Sequence, residues 1–178
     1  MMQYYSTKGK AAMASFKEAI FTGLPSDNGL YLPTEVPKLD SGFIEQLSDK
    51  SLVEIGFAVS QLYVGDEIAT DALEKLITEV LNFEIPVVQV EEDVFSLELY
   101  HGPTYAFKDV GARFLARCLS YFVAQSGEKL TILVATSGDT GSAVANGFYK
   151  VPGIDVVLLY PGGGKVSKIQ EQQLTTLG

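Results

Sequence analysis

Apolar and polar positions repeat with two different textures along this chain, and the change falls near residue 85. Before it, apolar residues recur at spacings of three and four, the period of a helix with one buried face. Ile55, Ala58, Val59, Leu62 and Tyr63 make one stripe, opened by the capping box Ser51-x-x-Glu54. Leu73, Leu76, Ile77, Val80 and Leu81 make another, with Asp71, Glu74, Lys75 and Glu79 on the far side. A further capping box, Ser15-x-x-Glu18, and a stop at Gly23 bound a shorter helix. Asp27-Asn28-Gly29 reads as a turn into a short strand over 29–33. From residue 86 the pattern predicts strands at 87–90 and 94–99, then a helix over 107–125. A strand at 130–135, a helix at 140–150, a strand at 154–160 and a helix at 168–174 follow. The later strands lack clean alternation, so they are expected to be buried on both faces. Separated by helices, they predict βαβ units and a parallel sheet. The expected fold class is α/β: a mainly helical region 1–85 ahead of a βαβ region 86–178.

In parallel sheets ligands bind just past the C-terminal strand ends. Three loops lie there. In the first, His101 to Asp109, Lys108 falls in the first turn of the predicted helix. That helix end carries partial positive charge, which favours a neutral amine. Neutral lysines are nucleophiles that form Schiff bases with carbonyl compounds, pyridoxal phosphate among them. The plainer alternative is a surface lysine pairing with Asp109. In the second loop, Thr136-Ser137-Gly138-Asp139-Thr140-Gly141-Ser142, small residues and hydroxyls surround a helix start, where N–H groups can hold a carboxylate or phosphate. Its plainer alternative is a capped turn with Asp139 as N-cap. The third loop, Pro161-Gly162-Gly163-Gly164-Lys165-Val166-Ser167, resembles a phosphate cradle but is not a P-loop, because Val166 follows Lys165. It also reads as a flexible glycine turn.

Composition narrows the chemistry. Thirteen basic against 22 acidic residues among 178 give a net charge of −9, which argues against nucleic acid as a partner. Apolar runs are strand-sized, well short of the ~20 residues that span a bilayer. No secretory signal is visible in Met1 to Ser6, so a soluble, reducing, cytoplasmic setting is expected. His101 is the only histidine and Cys118 the only cysteine, so no metal site is expected. No Gly-x-Ser-x-Gly elbow surrounds a serine.

Four segments carry a resemblance. Glu98 to Asp109 resembles the cofactor-lysine motif of the threonine synthase family. So does Ala135 to Ser142, at a similar separation. Tyr4 to Thr7 with Ser15 to Ala19, and Asn28 to Pro33, are similar to the opening of the same family. The resemblance covers the whole chain in one order. It implies the pyridoxal phosphate fold shared with tryptophan synthase β and cysteine synthase, called fold type II. It implies that Lys108 carries pyridoxal 5′-phosphate, with Asp139 near the cofactor. Thr136, Ser137, Gly138, Asp139 and Thr140 would grip the substrate carboxylate. His101, Lys165 and Ser167 would reach the substrate phosphate or shape their loops. The implied reaction turns O-phospho-L-homoserine and water into L-threonine and phosphate. Many superfamily members have Asn where Asp139 stands, and a carboxylate cannot donate as an amide does. Threonine synthases are far longer than this chain. The chain is therefore expected to be an N-terminal portion, inactive alone, with the first part of the cofactor domain at 86–178. Two alternatives are a related elimination giving a keto acid and ammonia, and a non-catalytic interaction module. Oligomeric state is not legible.

Overall fold

In the computed structural model, which describes residues 2–177, the first pairing joins separated segments. Tyr4–Ser6 (β1) runs antiparallel to Tyr31–Pro33 (β2), with Tyr5 opposite Leu32. Met1 and Gly178, the outer limits of the two expected regions, lie outside the described residues. The chain separates into two compact units, divided between Leu81 and Asn82.

In the first unit, Asp27 holds the turn ahead of β2. Its carboxylate accepts from the Ser6 hydroxyl at 2.6 Å and from the N–H groups of Lys10, Ala11 and Gly29. These donors, the Ser6 hydroxyl foremost, hold its carboxyl down at about 2. Phe16–Thr22 (α1) begins at the Ser15 capping box, where Ser15 and Glu18 each accept the other's N–H. Glu67 accepts from the N–H groups of Phe16 and Lys17, so more of the helix's orphan donors are satisfied from far along the chain. Ser41–Glu45 (α2) was not legible in the pattern, because five residues are too few for a period to show. Asp40 caps it by accepting from the Phe43 N–H. Leu52–Val64 (α3) carries the Ser51 capping box and packs on Thr70–Val80 (α4). α4 buries Leu73, Leu76, Ile77 and Val80, the stripe its spacing predicts. The α3 stripe is only partly covered, with Val59 at 37% exposure.

In the second unit, Val87–Glu91 (β3) and Val94–Leu97 (β4) form an antiparallel hairpin. β4 stops at Leu97, two residues before the expected end. Lys108–Ser126 (α5), Leu130–Ala135 (β5), Asp139–Phe148 (α6), Ile154–Leu159 (β6) and Lys168–Thr175 (α7) follow. β5 and β6 are parallel, with Leu130 opposite Ile154 and Ala135 opposite Leu159, and α6 is the crossover between them. This is a βαβ unit, as the strand–helix–strand order predicts. Leu119, Phe122 and Val123 of α5 join Ala143, Ala145 and Phe148 of α6 among the buried residues. α5 and α6 pack closely at Gly147, where an added Cβ would stand 3.1 Å from the Ala112 carbonyl carbon.

The sheet departs from the expectation of two buried faces. Burial alternates along both strands. α6 packs against both strands, while Leu133, Val157 and Leu159 are 65%, 43% and 53% exposed. Within the second unit that second face is largely open.

Candidate active site

The chain enters α5 through a tight loop. Tyr105 N–H donates to the Gly102 carbonyl and Asp109 N–H to the Ala106 carbonyl, both at 3.0 Å. Tyr105 sits at φ 58°, a left-handed conformation uncommon for a residue with a side chain. Lys108 is the first residue of α5, so it stands in the first turn. It is exposed, and among the described residues its amine has no hydrogen-bond or ion-pair partner. The pair with Asp109 does not form, because that carboxylate faces inward. Asp109 is 0% exposed. Its Oδ2 accepts the Thr104 N–H at 2.8 Å and its Oδ1 accepts the Thr104 hydroxyl at 2.7 Å. Gly102 must lack a side chain here, since a Cβ would stand 2.5 Å from Asp109 Oδ2.

The loop after β5 is organised by Thr136. Its Oγ1 accepts the N–H groups of Gly138 and Gly141, at 3.2 and 3.0 Å, and donates to the Gly138 carbonyl. That hydroxyl is committed to the loop itself. Gly138 is the N-cap, and Asp139 is the first helical residue rather than the cap. A carboxylate suits the positive end of a helix. Ser137, Asp139 and Thr140 are exposed, whereas Ser142 is buried with its hydroxyl unpartnered. Asp139 Oδ1 accepts from Gln170 Nε2 of α7 at 3.0 Å. Ser167 caps α7 by accepting the Gln170 N–H, and its hydroxyl also donates to Gln170 Oε1. Ser167 therefore sets the side chain that reaches Asp139.

His101 belongs to a separate pair. Its Nε2 lies 2.6 Å from Glu98 Oε2, and a carboxylate only accepts, so that nitrogen carries the proton. The His101 bond first, and the Tyr100 hydroxyl next, hold the Glu98 carboxyl below the usual carboxylate range. The same bond to Glu98 pushes the Tyr100 hydroxyl up. The Tyr100 ring stacks on His101 with centroids 4.8 Å apart. Lys165 is exposed after Gly163 and Gly164, both in the left-handed region that glycine adopts freely.

Direct bonds thus join Thr136, Gly138, Asp139, Ser167 and Gln170 into two adjoining clusters. Among the described residues, Lys108 at the start of α5, His101 in the loop before it and Lys165 make no hydrogen bond to either cluster. Thr104 and Gln170 had no assigned role in the sequence, and Asp109 only that of an ion-pair partner for Lys108. The signal for Asp109 was its place in a helix's first turn beside the candidate nucleophile; Gln170 had none. Cys118 is buried, and burial pushes its thiol up to about 12, so it is no nucleophile. No helix among the described residues is long and apolar enough to cross a membrane.

An uncommitted lysine at a helix start and a hydroxyl-lined strand-to-helix loop define a mixed α/β protein with reactive groups on its βα connections. Residues 3–81 match the family described as Threonine synthase N terminus. The whole chain is 42% identical to threonine synthase of Escherichia coli (strain K12), covering 99% of this chain and 41% of that protein. It superimposes on the crystal structure of PLP-bound threonine synthase from Brucella melitensis with a TM-score of 0.91. That match is 42% identical and covers 97% of this chain and 38% of the other. Yeast threonine synthase gives 0.88, at 37% identity over 97% of this chain and 38% of its own. Along its whole length the chain is similar to threonine synthases, and it spans about two fifths of the length of these relatives.

Proposed function

We propose that the protein carrying this chain converts O-phospho-L-homoserine and water into L-threonine and phosphate, using pyridoxal 5′-phosphate. The observation that carries this reading is the match to the PLP-bound relative, 42% identical over 97% of the chain. In this reading residues 1–85 form an N-terminal domain and 86–178 the first part of a fold type II cofactor domain. The residues present fit the cofactor. Lys108 offers an exposed, unpaired amine, and the start of α6 offers N–H groups beside the exposed Ser137 and Thr140 hydroxyls. Bound there, the cofactor supplies an electron sink for charge at the substrate Cα. The chain's own groups do the rest. The Lys108 amine moves protons at Cα and Cβ. Ser137, Gly138 and Thr140 hold the substrate carboxylate, with Thr136 fixing their loop. Asp139, held by Gln170, is assigned to the cofactor. His101 and Lys165 are assigned to the substrate phosphate.

In the full-length protein, threonine and phosphate are expected in equal amounts from O-phosphohomoserine. Lys108→Ala is expected to lower turnover by roughly 10²–10⁴-fold and to abolish the bound cofactor's absorbance. Unchanged turnover would remove Lys108 from the site. Release of 2-oxobutanoate and ammonia in place of threonine would assign the site to elimination instead.

A further inference from the structure

We propose that Asp109 is the positioning residue for Lys108: its buried carboxylate, bound at both oxygens by Thr104, locks the 102–107 loop onto the first turn of α5. The proposal rests on the reading of Lys108 as the cofactor lysine. Successive helical residues point roughly 100° apart. With Asp109 fixed inward, the direction in which Lys108 leaves the helix is fixed as well.

Three observations carry this. A fully buried carboxylate is rare, and it persists only where its oxygens are hydrogen-bonded. Here one residue supplies both a backbone and a hydroxyl donor, at 2.8 and 2.7 Å, and that residue lies inside the loop being fixed. The loop closes against the carboxylate, since Gly102 has no room for a Cβ beside Oδ2. Tyr105 holds a left-handed φ of 58°, a conformation that persists only where the surroundings over-determine it. An acid that served only the helix dipole would work equally well exposed anywhere in the first turn. Asp109 is buried and committed to the loop.

The test uses the full-length protein, loaded with sub-saturating pyridoxal phosphate, reduced with borohydride and digested. Mass spectrometry reads the fraction of the Lys108 peptide that carries the pyridoxyl group. All variants are compared well below their melting temperatures. Asp109→Ala removes the acceptor of both Thr104 donors and is expected to lower labelling roughly tenfold or more, since small misplacements of reacting groups are costly. Thr104→Val removes one bond and is expected to lower labelling in the same direction. Thr104→Ser keeps both donors and is expected to label as the wild type does. Val123→Ala, elsewhere in α5, lowers stability without touching the loop and is also expected to label normally. Full labelling of Thr104→Val overturns the proposal, even if Asp109→Ala fails to fold. Equal loss in Val123→Ala overturns it too, by showing a general effect of stability. An unlabelled Lys108 in the wild type sinks the cofactor-lysine reading and this proposal with it. A labelled wild type with unaffected loop variants sinks the positioning role alone.

Discussion

Asp27 and Asp109 both hold irregular segments, but with different donors. Asp27 draws on one hydroxyl and three backbone N–H groups, Asp109 on Thr104 alone. The Asp27 carboxyl is lowered from 3.8 to about 2 on folding. A depressed folded-state value means that the ionised form binds the native structure better. That stabilisation is fully present above the unfolded value of 3.8 and is lost as the pH falls through about 2. Asp27→Asn is therefore expected to melt below the wild type at neutral pH, with the gap narrowing across that acidic window. Thermal melts by circular dichroism at several pH values read it, and a gap independent of pH would show that the charge plays no part. The turn at Asp27-Asn28-Gly29 was legible, because turn chemistry is local. The Ser6 hydroxyl, 21 residues away, was not. The same holds for the candidate site. Lys108 and the 136–140 loop stood out by local placement. The Gln170 bond to Asp139 spans 31 residues and leaves no local signature.

At the scale of elements, capping boxes and apolar spacing carried most of the information. Ser15 with Glu18 and Ser51 with Glu54 bound α1 and α3 where the sequence put them. α5 starts one residue late and α6 one residue early, because caps are set by tertiary fit as well as by residue type. Two glycines separate packing from propensity. Gly147 faces the α5 backbone at Ala112, while nothing lies within 4 Å of a Cβ added at Gly111 in α5. Gly147→Val is expected to destabilise by about 1–3 kcal/mol through overpacking against backbone that cannot yield. Gly111→Ala is expected to stabilise by about 0.5–1 kcal/mol through helix propensity. Urea unfolding of the two variants checks both signs. Destabilisation of equal size at both positions would show that helix–helix spacing does not govern Gly147.

At the scale of the whole molecule, apolar surface remains open within the second unit. Leu133, Val157 and Leu159 line the open face of the β5–β6 pair, and Val87, Val90, Phe95 and Leu97 are exposed on the hairpin. Contiguous apolar surface of this kind drives association. The 178-residue chain by itself is expected to associate with rising concentration, which light scattering reads. Leu133 and Val157 are cross-strand partners, so Leu133→Lys with Val157→Glu adds opposite charges to that face and is expected to shift the chain toward monomer. A wild-type chain that stays monomeric at high concentration would show that this face is not adhesive. The sequence could not reveal the open face, because a non-alternating strand reads as doubly buried whatever lies beside it. The parallel pairing has one more effect, on the order of assembly. β3 and β4 can zip outward from a two-residue turn, but Leu130 meets Ile154 only across the full length of α6. Loop-closure entropy is lost before the first rung of that ladder forms. During synthesis the ribosome delivers β5 well ahead of β6, so the first strand waits, apolar and unpaired, until its partner emerges.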